Sequence, residues 1–278
     1  MLRDVITVAH LTLVESRRRR IMVAGAVCAL AFLVVFVVAA TFARRELAAD
    51  ATVSFVERQA TLTIVMLVGF MAANFLSVLF AILLPVDTLS GEIDSGVMQT
   101  LASKPIDRAQ IVLGKWLGHL LLALIYLLVL TGAIVLTMRT VAGFVPTGVW
   151  RAIPLLMLEI TLSLTITVAG GARLSTVTNA IASVGFYGVA FIGGFIEQIG
   201  GFGGIAALKT VGIVVSLISP ADSMWRLAAD YLMPEILRGS GALAMGGSVP
   251  TPLMVWWAAG FSVLTLLYAV RAFRGRAL

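Results

Sequence analysis

Few side chains in this sequence are of types and spacings that do chemistry, and those few stand apart. His10 and His119 are its two histidines, far apart in the chain and without an HExxH or cysteine neighbour, so the spacing of a zinc site is missing. His119 reads as a hydrogen-bonded histidine within helix packing. The one Gly-Lys pair, Gly114-Lys115, is followed by Trp116, and the GxxxxGK[ST] loop that cradles nucleotide phosphates is absent. Cys28 is alone, which leaves no disulfide framework to read. Glu159 is the carboxylate that lies well inside an apolar run, where an ionisable group is costly and is a functional-site candidate by default. It also lies about two turns from the outer end of that run, where snorkelling or a hydrated vestibule would serve it. Asn74, midway along another run, is either hydrogen-bond glue between helices or part of a lumen. Asn74 and Glu159 are therefore possible pathway residues. No catalytic residue, metal site or cofactor is expected in this chain, and it does not read as an enzyme.

The elements that would hold these residues follow from composition. The chain is 60% hydrophobic and only 12% charged, with a mean hydropathy of +1.05, whereas roughly a quarter of the residues of a soluble protein are charged. A surface this apolar requires lipid as its solvent. A bilayer core needs roughly 20 apolar residues per helix, and six runs supply them: 21–43, 61–86, 116–138, 153–172, 176–196 and 253–270. All six are expected as helices, because an open strand leaves its backbone unsatisfied in hydrocarbon. The prediction is an all-α polytopic membrane protein forming a single transmembrane domain. The first run follows Arg17 to Arg20, as a signal peptide would, but it is much longer than an h-region of roughly 7–15 residues and reads as a retained anchor.

Residues 2–16 are modestly amphipathic. Leu2, Val5, Ile6, Ala9 and Leu13 recur at helical steps, Arg3, Thr7 and His10 lie largely opposite, and Val8, Leu11 and Val14 interrupt the pattern. A helix lying in the membrane interface is expected there. Residues 197–252 form an external segment. Its apolar stretch 205–219 is too short to span, and the stretch after Pro220 places Trp225, Arg226 and Tyr231 as interfacial residues on an amphipathic helix. The pair reads as re-entrant or interfacial helices on the outer face.

With six spans, both termini share a side with the 87–115 loop. Twelve of the twenty Lys and Arg fall on that side, including the block Arg17 to Arg20. The positive-inside bias places it in the cytoplasm. The net charge of +6 fits this orientation and contact with anionic membrane lipids. Its bases sit at helix ends and not along one soluble face, so no nucleic-acid partner is expected.

The loop "DTLSGEIDSGVMQTLASKPIDRAQIVLGK", residues 87–115, concentrates four acids and three bases between two apolar runs. Gly91 and Gly96 bracket "EIDS", and a short helix then presents Val97, Met98 and Leu101. Pro105 separates it from the next element. Asp107 and Gln110 form a D-x-x-Q capping box that starts the next helix. The product is a short docking helix between two hinges, continuous with both flanking spans.

On these residues the chain resembles the permeases of type-2 (ABC-2, type V exporter-like) ABC transporters, the NosY-like branch in particular. Glu92, Gly96, Leu101, Ser103, Pro105, Arg108, Gly114 and Lys115 match the loop pattern of that family in register, while Val97 and Asp107 replace its usual hydroxyl residues. The leading interfacial helix, the six spans and "LISPADSMWRLA" (217–228) fit as well. The resemblance implies a permease subunit in a bacterial or archaeal plasma (inner) membrane, with ATP and Mg bound by a separate cytoplasmic ATPase. Residues 95–103 would be the coupling helix seated in that ATPase, with Glu92, Gly96, Val97, Met98, Leu101, Pro105 and Arg108 as the coupling residues. A second permease copy or homologue would complete the pathway, with further periplasmic or membrane subunits as possible additions. The substrate stays open. An ATP-independent secondary transporter or channel, and a non-transporting scaffold of a membrane assembly, are the alternatives.

Overall fold

The computed structural model describes residues 2–17, 19–50, 52–91, 107–145, 148–234 and 249–275. Within them every regular element is helical, and no strand occurs. In chain order they are α1 (Leu2–Ser16), α2 (Arg20–Ala49), α3 (Phe55–Leu83), α4 (Arg108–Thr137, continued by a π-helical turn Met138–Ala142), α5 (Val149–Gly171), α6 (Thr176–Phe202), α7 (Ala206–Ile218), α8 (Ala221–Leu232) and α9 (Leu253–Arg274). Six of these, α2, α3, α4 with its π turn, α5, α6 and α9, are long and apolar enough to cross a membrane.

The helices outrun the apolar stretches that predict them. α2 runs on to Ala49, α4 starts at Arg108, and α6 passes Ile196 to reach Phe202. Leaving hydrocarbon does not end a helix; its backbone bonds continue until a cap or a breaker stops them. One consequence is that Glu197, assigned from sequence to the external segment, lies within α6.

α5 is the central element and packs against α3, α4, α6, α8 and α9. α2 and α9 keep most of their surface outward, showing Val27, Leu30, Val34, Trp256 and Leu264, the apolar coat that lipid solvates. Rings set into glycines attach α2. A Cβ on Gly25 would lie 2.7 Å from the Phe80 ring, and one on Gly69 would lie 2.3 Å from the Phe36 ring. Tyr126 stacks on Phe80 with centroids 4.4 Å apart, and its hydroxyl donates to the Gly25 carbonyl at 3.0 Å.

α7 and α8 meet at a 110° bend. Pro220 sits at the break, where the missing N–H and the restriction on Ser219 end one helix before the next begins. Ser219 donates to the carbonyl of Phe186 at 3.4 Å, near the middle of α6. The tip of the pair thus reaches halfway down a spanning helix, which is the re-entrant form of the two expected arrangements. α8 is not the surface amphipathic helix that its sequence suggests. Asp222, Ser223, Met224, Arg226, Leu227 and Ala228 are all buried, because α8 is inserted between α5, α6 and α9.

α1 packs on α4, and the face it uses differs from the one its periodicity picks out. Val8, Ala9, Thr12 and Ser16 are buried, while Leu2 and Ile6 point outward. The receiving surface is made by Gly114 and Gly118, four residues apart. A Cβ on Gly114 would stand 2.5 Å from Val8 Cβ, and one on Gly118 would stand 2.9 Å from both the Ala9 carbonyl oxygen and Thr12 Cβ. Val8, an interruption of the amphipathic pattern, is the residue that seats the helix.

Candidate functional site

Two polar assemblies occupy opposite parts of this bundle. The first gathers around the ends of the 92–106 segment. The coupling residues Glu92, Gly96, Val97, Met98, Leu101 and Pro105 lie outside the described residues; Arg108 and both flanks of the segment lie within them.

The leading flank is tied to three neighbours. Arg19, at the junction of α1 and α2, bridges Glu15 and Asp87. Burial pushes the Glu15 carboxyl up, but its hydrogen bond and attraction to Arg19 outweigh that and hold it below its ordinary range. Asn179 of α6 donates to the Val86 carbonyl at 3.2 Å, and the Ser90 and Thr176 hydroxyls lie 2.9 Å apart. Thr88 lies 3.3 Å from Nε2 of the buried His119, whose Nδ1 is 2.8 Å from the Lys115 carbonyl. His119 is thus bonded at both nitrogens within the packing.

The trailing flank is built on the Asp107–Gln110 capping box, both halves of which are formed. Gln110 also donates to Asp4 of α1 at 3.2 Å. The end of α9 closes on the same point. Arg274 pairs with Asp107 at 2.5 Å, and Arg108 donates to the Arg274 carbonyl at 3.2 Å. The backbone N–H of Ala109, followed by Arg274, holds the Asp107 carboxyl below its ordinary range. A depressed pKa gives a contribution complete above the ordinary carboxylate value of about 3.9 and lost only as acid protonates the folded form. This hinge is therefore indifferent to pH near neutrality. Asp107→Ala removes both cap and ion pair and is expected to speed amide hydrogen exchange at Ala109 and Gln110. Asp107→Asn keeps the cap and should leave those amides close to the parent; equal exchange in Asp107→Ala and the parent would refute the capping role.

The second assembly is buried among α3, α5, α6, α7 and α8. Asn74 Nδ2 donates to Glu159 Oε2 at 3.1 Å, so the two possible pathway residues, 85 positions apart in the chain, meet in the interior. Both are enclosed by the chain's own helices in this conformation, with Glu159 fully buried. Tyr187 of α6 approaches the same carboxyl. Beyond it lies a group that sequence reasoning missed. Arg226 Nη1 stands 2.9 Å from Glu197 Oε2, and Arg226 Nε stands 2.9 Å from Asp222 Oδ2. Its Nη2 donates to Ser216 at 2.9 Å and to Ser223 at 3.3 Å. All three charged side chains are buried, which corrects the interfacial placement of Arg226. The Asp222–Arg226 spacing of four on one helix was the available local signal; Glu197 had none. Glycines admit the cluster. A Cβ on Gly194 would stand 1.8 Å from Asp222 Oδ2, and one on Gly212 would stand 2.3 Å from Glu197 Cβ.

Among the described residues the chain is a polytopic helical bundle with a sharply bent helix pair before its last span and charged contacts at both ends of the 92–106 segment. The sequence matches the ABC-2 family transporter protein domain over residues 6–273, and the chain belongs to that family. It is similar to a curated relative, the probable ABC transporter permease protein NosY of Stutzerimonas stutzeri. The two are 46% identical over 57 residues, which cover 20% of this chain and 21% of that protein.

Proposed function

We propose that this chain couples ATP hydrolysis by a separate cytoplasmic ATPase subunit to export or other work across a plasma membrane, with both termini and the 87–115 loop in the cytoplasm. The carrying observation is the double attachment of that loop. Its leading flank is bonded to the α1–α2 junction and the start of α6, and its trailing flank to α1 and the end of α9. A displacement of the docking helix would therefore reach α1, α2, α6 and α9 together, besides α3 and α4, with which it is continuous. Glu92, Gly96, Val97, Met98, Leu101, Pro105 and Arg108 form the joint in this reading, and ATP and Mg belong to the partner. A second copy or a homologue completes the assembly, covering part of the outward apolar surface.

Affinity purification of the full chain from its native membranes tests the joint. An ATPase bearing a P-loop is expected to co-purify with the parent. Its recovery should fall about tenfold or more when Met98→Glu and Leu101→Glu are combined, because two charges set against an apolar groove cost at least the ~1.4 kcal/mol that a tenfold change represents. Undiminished recovery would sink the assignment of the joint.

One observation supports a second reading. Buried charges and a broken helix pair inside the bundle are features of transporters that work without ATP, and Glu197, Asp222 and Arg226 on α6 and α8 supply them. Transport by the chain alone in ATP-free vesicles would establish that reading.

A further inference from the structure

We propose that Glu159 is held as a neutral carboxylic acid by Asn74, and that the pair is a buried proton-binding site. The hydrogen-bond inventory of the pair carries this. Asn74 Nδ2 and Glu159 Oε2 satisfy one another. Asn74 Oδ1 and Glu159 Oε1 are shut off from solvent and have no hydrogen-bond partner. With an ionised carboxylate both orphans are acceptors, and neither can help the other. One proton on Oε1 turns that oxygen into a donor. An amide beside a carboxylic acid then closes a ring of two hydrogen bonds, N–H to O=C on one side and O–H to O=C on the other. A single proton removes two buried unsatisfied acceptors, each of which is costly when left alone.

The choice of amide orientation does not rescue the anion. Turning the Asn74 amide over would bring Oδ1 against the carboxyl, where again only a protonated oxygen could bond it.

The charges facing the site from neighbouring helices agree. On α6 the facing titratable group is Tyr187, whose hydroxyl approaches the carboxyl as a hydrogen-bond donor but brings no positive charge. On α8 it is Asp222, so an anion at Glu159 would face a second carboxylate. The cation of that region, Arg226, is already divided between Glu197 and Asp222. On α5 itself, Arg151 lies two turns away with its guanidinium over the Tyr231 ring. On α3, Glu57 and Arg58 are in the first turn, more than four turns from Asn74. Among the described residues no ion pair to Glu159 exists, and an uncompensated buried carboxylate neutralises instead of remaining charged.

The site therefore holds one proton per chain. This rests on the chain's own interior and does not depend on which ATPase serves the chain.

Infrared spectroscopy of the full-length chain in lipid nanodiscs at neutral pH tests the protonation directly. The parent is expected to show the carbonyl stretch of a protonated carboxylic acid, shifting in D2O after exchange, and Glu159→Gln should remove it. No such band in the parent, or a band at full strength in Glu159→Gln, would overturn the site. Asn74→Leu is a second variant that keeps the acid and removes its partner. There the band should persist and move to higher frequency, as a carbonyl does on losing a hydrogen bond. An unmoved band in Asn74→Leu overturns the pairing even if Glu159→Gln cannot be recovered folded.

Discussion

Arg226→Met is expected to cost about 3–5 kcal/mol of stability, the range for removing one partner from a buried ion pair. The substitution keeps most of the aliphatic bulk and removes the charge that stands 2.9 Å from both Glu197 and Asp222. Two buried carboxylates would then face one another without a cation, and Ser216 would lose the donor at its oxygen. The effect should spread beyond α8, because the triad joins α6 to the re-entrant pair. Thermal unfolding of the purified chain in mild detergent measures it. A control separates lost charge balance from lost packing. Combining Arg226→Met with Glu197→Gln and Asp222→Asn removes all three charges together, and should recover much of the stability, since neutral replacements of a complete buried network are often tolerated. An Arg226→Met chain as stable as the parent would show that the cluster carries no net charge stabilisation.

The second large effect is expected from Gly118→Leu. The new side chain would have to grow from a Cβ position 2.9 Å from the Ala9 carbonyl and 2.9 Å from Thr12 Cβ. Backbone on that side cannot step aside as a flexible side chain would, so α1 must lift from α4. Overpacking of this kind costs about 1–3 kcal/mol, and most of it should appear as undocking, because α1 is not one of the six spanning helices. Trypsin cleavage in the segment Arg17 to Arg20 should accelerate several-fold while the spans remain in the membrane. If α1 relays displacement of the loop, ATP-driven work should fall with it. Cleavage at the parent rate would place the seating of α1 elsewhere.

These two sites differ in how far sequence reaches them. The capping box at Asp107 and Gln110 is legible because cap, spacing and helix start lie within four residues. The six spans are legible because each reports its own lipid exposure through a run of about 20 apolar residues. Asn74 and Glu159 stand out singly, as polar groups where polarity is costly, but nothing local says that they touch. Glu197 is hidden by a boundary. It follows the last apolar residue, Ile196, and only the continuation of α6 to Phe202 brings it inside. Arg226 is misread for a related reason: an Arg beside Trp225 and near Tyr231 has the composition of an interfacial helix, and only the insertion of α8 makes it a core residue. Val8 is an exception within its own helix because it seats against Gly114, one of two glycines four residues apart on α4. A spacing of four between glycines is too common in apolar helices to single out. In each case what sequence lacked was the neighbouring helix.

If the 87–115 loop is where an ATPase drives this chain, as proposed, the most direct measurement is of coupling and not of binding alone. The full chain and the ATPase expected to co-purify with it, reconstituted together in liposomes, should hydrolyse ATP at a rate that depends on this chain. Leu101→Glu should abolish that dependence while leaving the ATPase's own basal rate intact. Hydrolysis that responds to Leu101→Glu as it does to the parent would contradict the account.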